Sequence, residues 1–207
     1  MCEAETVAQV PAGIALRCGM ASGHAYPPVG PVSFAVSCAV MADVARESMQ
    51  SGRPPQPGDN PYARAAAARG IDAAAWMRAQ LVWGCRAMLD PEIGIEQGRE
   101  ISRALTPGMP DYSGMMPQMQ LPRPAPIDPN DPRLAPIEGV TMEMYVRMVD
   151  VQMTSPDFAP EEFADVAVQL GFPADRWVNV MEQWGNRVMA GPPASTLYAQ
   201  WVCHLIA

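Results

Sequence analysis

Few side chains in this sequence belong to the types that carry out catalysis. Its histidines are His24 and His204, and its cysteines are Cys2, Cys18, Cys38, Cys85 and Cys203. Cys203 and His204 are neighbours on a predicted helix and point about 100° apart, which suits neither a nucleophile–base pair nor metal chelation. Cys18, His24 and Cys38 offer three zinc ligands without an evident fourth, and no CxxC pair occurs. We therefore predict no metal site and no cofactor, with the cysteines reduced.

A cluster of methionines provides the main alternative to that prediction. Met109, Met115, Met116 and Met119 lie in a proline-rich stretch, and thioethers at Met-x-x-Met spacing are soft ligands that suit a cuprous ion. The stretch contains no histidine, and methionines in an adaptable apolar strip more often pack against a groove. We interpret Met115, Met116, Met119 and Leu121 as candidate contacts with a partner protein. Copper binding stays open as an alternative.

The familiar catalytic and nucleotide-binding motifs are missing from the sequence. It contains no lysine, no glycine-rich phosphate loop, no GxSxG elbow and no ExxH pair. Schiff-base chemistry, lysine-based phosphate binding and the di-iron bundle signature are thereby excluded. The sequence predicts a protein that is not an enzyme. The alternative is an enzyme whose site lies between two modules and uses Arg86, Arg187, Asp175 and Glu182.

The charge and hydropathy of the chain indicate which partners and which compartment to expect. The net charge is −8 and the sequence pI is about 4.7, which disfavours nucleic acid because binding there depends on cations that neutralise phosphates. No apolar run is long enough for a membrane span, and the chain opens with acidic residues rather than the basic stretch of a secretory signal. We expect a cytoplasmic protein.

Arginine is the sole strong base of the chain, which is typical of a GC-rich bacterium. Because the chain is acidic, a basic protein is the expected partner.

The most informative feature of the chain is an internal repeat. Residues 61–91 realign on residues 162–192 with a constant shift of 101 and no gap. The shift superposes Gly70 on Gly171, Trp76 on Trp177, Trp83 on Trp184 and Arg86 on Arg187. The whole chain has only five tryptophans, so the matching of two pairs in register is hard to attribute to chance. We predict an all-α fold of two tandem modules, each with three to four helices.

Local signals place the helices of each module. Ser33 and Thr141 are expected to cap first helices over 34–50 and 142–153. Second helices should begin at prolines and end at left-handed glycines, and third helices should restart at once from 72 and 173. Fourth helices are expected over 95–105 and 195–206. The predicted core and helix-end residues of the repeat are Trp76, Trp83, Trp177, Trp184, Phe163, Leu170, Gly70 and Gly171.

These elements define four regions. We predict an irregular N-terminal arm (1–28), a first helical module (29–106), a linker (107–135) and a second helical module (136–207). Because prolines are dense in the linker, it should be extended, with polyproline-II character. Its methionines and leucines favour a segment that lies along a groove.

The repeated Trp-x6-Trp-Gly-x-Arg pattern has two interpretations. Its spacing places both indoles on one helix face with the arginine nearby. Tryptophan and arginine are enriched in interface hot spots, so Arg86 and Arg187, together with Trp201, are candidates for partner binding. The structural interpretation, which we favour, has the indoles anchoring a core and the arginine bonding carbonyls or a carboxylate. We predict a non-catalytic adaptor, assembly component or immunity-type inhibitor, with homo-oligomers also compatible.

Overall fold

The computed structural model describes residue 23 and residues 26–51, 59–107, 123–155 and 157–207. In those residues it contains eight α-helices and no β-strand, which confirms the all-α fold class. The helices are α1 (Phe34–Ser51), α2 (Pro61–Ala67), α3 (Ala73–Leu89), α4 (Pro91–Leu105), α5 (Met142–Thr154), α6 (Pro160–Gln169), α7 (Trp177–Met189) and α8 (Ala194–Leu205). Within the same ranges, none of them has the length and apolarity needed to cross a membrane.

The described helices fall into two compact units. The described residues up to Arg123 contain α1–α4, and Pro124–Ile206 contain α5–α8. Residues 124–135 of the predicted linker belong to the second unit, where a 3-10 turn spans Pro132–Leu134 and Leu134 is buried. Most of the predicted arm and residues 108–122 of the predicted linker lie outside the described residues.

The first unit is organised around α1, which packs against α2, α3 and α4. Helix α3 in turn packs against both α2 and α4. The largest fully buried side chains of this unit come from α1, α3 and α4, and they include Phe34, Trp76, Trp83 and Ile93. The Phe34 and Trp83 rings lie 5.3 Å apart, centroid to centroid, in a tilted arrangement favourable for aromatic pairs.

Short polar side chains start the helices of the first unit, because they accept from amides that have no partner inside the helix. Ser33 Oγ accepts from Val36 N at 3.3 Å, as predicted. Asn60 Oδ1 accepts from Ala63 N at 3.0 Å and Asp72 Oδ1 from Ala75 N at 2.8 Å. Buried Asp90 separates α3 from α4 and accepts from Glu92 N at 3.3 Å. The sequence therefore fixes these helix starts locally.

The second unit is organised around α5, which packs against α6, α7 and α8. Helix α7 also packs against α6 and α8. The core of this unit is built by Val146, Met148, Trp184 and Leu197, all fully buried. Thr141 Oγ1 accepts from Met144 N at 3.4 Å, which places the predicted cap at the start of α5.

Two predicted helix starts are wrong. Helix α7 begins at Trp177 rather than at 173, because Pro173 stands where Asp72 caps α3 and supplies no side-chain acceptor. Helix α4 begins at Pro91 rather than at 95, since proline suits a first helical position directly after the Asp90 cap. Positions in the same sequence register therefore differ in their caps, because each cap depends on a single side chain.

Left-handed glycines end the second helix of each unit, and they give a matched pair for substitution. Gly70 has φ +73° and Gly171 has φ +91°, and the amides of Ile71 and Phe172 bond back to the carbonyls of Ala66 and Ala167. This is the glycine-terminated helix end that the sequence predicts.

We expect Gly70→Ala to cost about 1–2 kcal/mol of unfolding free energy, because alanine is strained at positive φ. A Cβ at 70 meets nothing within 4 Å, whereas one at 171 lies 2.6 Å from Met144 Cε. Because Met144 Cε is the free end of a flexible side chain and can move aside, Gly171→Ala should cost about as much as Gly70→Ala. Urea unfolding measures both; a much larger cost at 171 would contradict the expectation.

Candidate functional site

The first of the repeated tryptophan–arginine pairs holds a tight turn of the first unit. Val29 and Val32 pair across this turn through two backbone hydrogen bonds of 2.9 and 3.0 Å, and Gly30 has φ +53°. Trp83, buried on α3, donates from Nε1 to the Val32 carbonyl at 3.3 Å. Since a buried indole N–H needs an acceptor, this bond fixes both the ring and the turn.

Arg86 lies three residues beyond Trp83 on α3 and contacts the chain just before the Val29–Val32 turn. Only 3% of the residue is exposed. Its guanidinium carbon lies 4.4 Å from the centroid of the Trp83 ring and 5.2 Å from that of the Tyr26 ring. Nη1 donates to the Pro27 carbonyl at 2.8 Å. The cation is therefore stacked on two aromatic rings and bonded to the main chain.

The second unit contains a similar arrangement. Trp184 Nε1 donates to the Val140 carbonyl at 3.1 Å, and Val140 pairs with Ile137 across a turn. The Arg187 guanidinium lies 5.0 Å from the Trp184 centroid, and its Nη1 donates to the Ala135 carbonyl at 2.6 Å.

We call each set a tryptophan–arginine clasp: Trp83 and Arg86 on residues 27–32, and Trp184 and Arg187 on residues 135–140. Partial burial lowers the pKa of Arg187 from its ordinary value, and the side chain stays a cation at neutral pH because arginine starts so high. In both clasps the guanidinium donates to main-chain carbonyls. This contact stabilises structure and offers no acid, base or nucleophile.

The predicted partner-binding residues occupy different environments. Arg86 and Trp201 are buried, the latter with its ring 5.7 Å from that of His204, and Arg187 is half-buried. The remaining predicted contacts, Met115, Met116, Met119 and Leu121, lie outside the described residues. A docking role for these residues stays a prediction.

The predicted core of the repeat is buried to different degrees. Trp76, Trp83 and Trp184 are fully buried. Trp177, Phe163 and Leu170 are half-buried. The buried indoles thus anchor both units, while the second-unit equivalent of Trp76 lies nearer the surface.

Several large apolar side chains of the second unit are exposed, which the sequence did not predict. Met189 is 86% exposed, Val178 58% and Val168 49%. Val178 and Met189 lie about three turns apart on α7 and so share a face. Exposed carboxylates Glu161, Glu162 and Asp165 stand on α6. The sequence does indicate that this region is acidic, because the chain has no arginine from residue 148 to residue 175.

Among the described residues, few side chains are placed as a metal-binding or catalytic site would require. No group of three histidine, cysteine, aspartate or glutamate side chains among them is placed to hold a metal ion. Burial, reinforced by the nearby Glu100 and Glu96 carboxylates, raises the pKa of Cys38 to about 12. A thiol with so high a pKa is inert as a nucleophile at neutral pH. Asp175 and Glu182, from the enzyme alternative, are exposed.

Comparisons with known proteins add no family to this description. The chain matches no protein-family model, no curated protein and no solved structure.

Proposed function

We propose that the two units are tandem copies of one four-helix module. The pattern of helix packing supports this proposal. In each unit the first helix packs against the other three, the second against the third, and the third against the fourth. Unrelated four-helix arrangements would share this set of contacts less readily than two copies of one sequence.

The clasps support the duplication at the level of single bonds. Trp83 and Trp184 are 101 positions apart, and their acceptors Val32 and Val140 are 108 apart. Arg86 and Arg187 are also 101 apart, and their acceptors Pro27 and Ala135 are again 108 apart. Donors and acceptors thus follow the two shifts found in the sequence, with the difference of seven residues lying between them.

We further propose that the protein is non-catalytic and acts by binding another protein, as an adaptor, assembly component or immunity-type inhibitor. The observation that carries this proposal is the exposure of Met189, Val178 and Val168 in the same unit as the exposed carboxylates of α6. Exposed apolar side chains in a charged unit are candidates for contact with a protein partner. The repeated arginines, by contrast, are engaged in the clasps.

The distribution of charge indicates a basic partner. Residues 124–207 contain eleven acidic residues and four arginines, whereas residues 17–123 contain nine acidic residues and ten arginines. The negative charge of the chain is therefore concentrated in the second unit. An acidic surface attracts a basic protein over long distances and raises the rate of association, with a strong dependence on salt.

Affinity capture with matched charge-reversal variants tests this function. The immobilised full chain is compared with Asp165→Arg, on α6, and Glu92→Arg, an exposed carboxylate of the nearly neutral unit. We expect a basic protein from the native host to be captured by the chain and by Glu92→Arg, and about fivefold less by Asp165→Arg.

Circular dichroism and thermal unfolding first establish that both variants fold. Equal capture by the two variants would contradict the acidic docking surface. Capture of no protein at any salt concentration would contradict the binding function itself. Capture of the chain's own second copy would identify self-association as the function.

A further inference from the structure

Helix α2 is the most lightly packed helix of the first unit. It has seven residues, PYARAAA, and Ala66 is its only buried residue. Its largest apolar side chain, Tyr62, is exposed. A helix this short is unstable by itself and depends on contacts with its neighbours. Buried apolar surface contributes little to the stability of α2, so ion pairs contribute a larger part of it.

Ion pairs connect the α2 segment to α1. Arg69, just beyond α2, bonds Asp43 on α1 at 2.5 Å between Nη2 and Oδ2. Arg64, on α2, bonds Glu47 on α1 at 2.6 Å and also pairs with Asp59. We call the pairs Asp43–Arg69 and Glu47–Arg64 the ionic latch.

A second arginine joins α4 to the same carboxylate. Arg46 bonds Asp43 at 2.7 Å and donates to the Ala104 carbonyl of α4 at 2.9 Å. The charges that act on Asp43 are those of Arg69 and Arg46. The latch thus lies in a small network in which one carboxylate serves two cations on different parts of the fold.

The second unit holds its corresponding helix without this network. The positions that correspond to Asp43 and Arg69, at shifts of 108 and 101, carry Val151 and Leu170, both half-buried. Those that correspond to Glu47 and Arg64 carry Ser155 and Asp165. The start of α6 is instead flanked by a ring contact of 5.5 Å between Phe158 and Phe163. Apolar side chains therefore stand at the positions of the Asp43–Arg69 pair, and the pair Glu47–Arg64 has no counterpart of opposite charges.

We propose that α2 is a strap, released from the first unit by salt or acid while the rest of the unit stays folded. Half-exposed ion pairs are screened by salt, and each contributes little on its own. Because α2 has little buried apolar surface to hold it when the pairs are screened, its opening should be local. This proposal rests on the contacts between α1 and α2. Only the use of Val151 and Leu170 as the matching residues of the second unit depends on the proposed duplication.

Acid should release the strap by the same route. The hydrogen bond from Arg69, with a second from Arg46, holds the pKa of Asp43 below its ordinary value. A carboxylate with a lowered pKa in the folded state stabilises that state above its unfolded pKa, and the stabilisation is lost as the pH falls through the folded pKa. Acid and salt therefore weaken the same contact.

Hydrogen exchange of the full chain, resolved by peptide, tests the proposal. Between about 0.02 M and about 1 M sodium chloride at neutral pH, we expect exchange of the α2 amides to accelerate about threefold or more. Exchange in α3 and in α6 should change little, and α6 serves as the internal reference for the effect of salt on exchange itself. An α2 response equal to that of α6 would overturn the proposal.

Two variants sharpen this test. The double substitution Asp43→Val with Arg69→Leu introduces the residues of the second unit, and it should slow α2 exchange at high salt and reduce the salt response to the part that the remaining Glu47–Arg64 pair carries. Arg147→Ala breaks an exposed pair with Glu143 within α5 and should leave α2 unchanged. An unreduced salt response in the double variant would overturn the role of the Asp43–Arg69 pair in the latch. If that variant does not fold, the salt titration of the unchanged chain still decides.

Discussion

Replacing Trp184 by alanine should unfold the second unit under conditions in which the unaltered chain is folded. Trp184 is fully buried and donates to the Val140 carbonyl at 3.1 Å. Truncating a buried tryptophan to alanine costs about 3–5 kcal/mol, and the Val140 carbonyl loses one of its two hydrogen bonds, keeping that from Ile137 N. A small unit has roughly 5 kcal/mol of net stability at its lower limit, so the change removes most or all of it.

The damage should stay in the unit that carries the substitution. Each unit has its own buried tryptophans and its own packed helices, and local stability follows such cooperative units. Peptide-resolved hydrogen exchange of Trp184→Ala should show α5–α8 unprotected and α1–α4 protected, and Trp83→Ala should show the reverse. Loss of protection throughout the chain in both variants would contradict the expectation.

Two controls separate the hydrogen bond from the size of the ring. Trp184→Phe keeps most of the volume and removes one of the two hydrogen bonds that the Val140 carbonyl accepts, the other coming from Ile137 N at 3.1 Å, at a cost of about 0.5–1.5 kcal/mol. Trp177→Ala, on the same helix at a half-buried position, should cost less than Trp184→Ala because less surface returns to water. A larger cost at 177 than at 184 would contradict the assignment of Trp184 as the anchor.

The parts of this fold that were predictable are those set by neighbouring residues. Proline at a first helical position and glycine at a left-handed helix end act within one turn, and α2 and α6 follow these signals at Pro61, Pro160, Gly70 and Gly171. Helix α7 shows where prediction from such local signals fails. Its sequence register matches that of α3, yet it begins later because Pro173 stands at the position that matches the capping carboxylate Asp72.

The clasps were only partly predictable, because their acceptors are distant in sequence. The spacing of Trp83 and Arg86 indicated a shared helix face and a carbonyl or carboxylate for the arginine. It could not identify the Pro27 carbonyl, 59 positions away. The ionic latch was not predicted for the same reason, since Asp43 and Arg69 meet only when α2 folds back on α1. Repeats indicate that positions are equivalent, and three-dimensional packing decides what each position contacts.

Replacing Arg86 by alanine should destabilise the first unit by about 3 kcal/mol or more. The substitution removes a charged hydrogen bond to a carbonyl, worth about 1.5–3 kcal/mol, and a stacked cation on two rings, worth about 0.5–2 kcal/mol. It also leaves a space between Tyr26 and Trp83, whose rings lie 5.2 and 4.4 Å from the guanidinium carbon. Chemical denaturation monitored by tryptophan fluorescence measures the loss.

Arg187 is the matched control, because it makes the same kind of contact at a half-buried position. Arg187→Ala should cost about half as much, since solvent already screens the cation and replaces part of the lost bonding. Arg86→Met retains much of the packing and removes the charge, so its cost should fall between those of the two alanine variants. If Arg86→Met were as stable as the unaltered chain, the clasp would act through packing alone. An equal cost for Arg86→Ala and Arg187→Ala would show that burial of the guanidinium does not set its contribution.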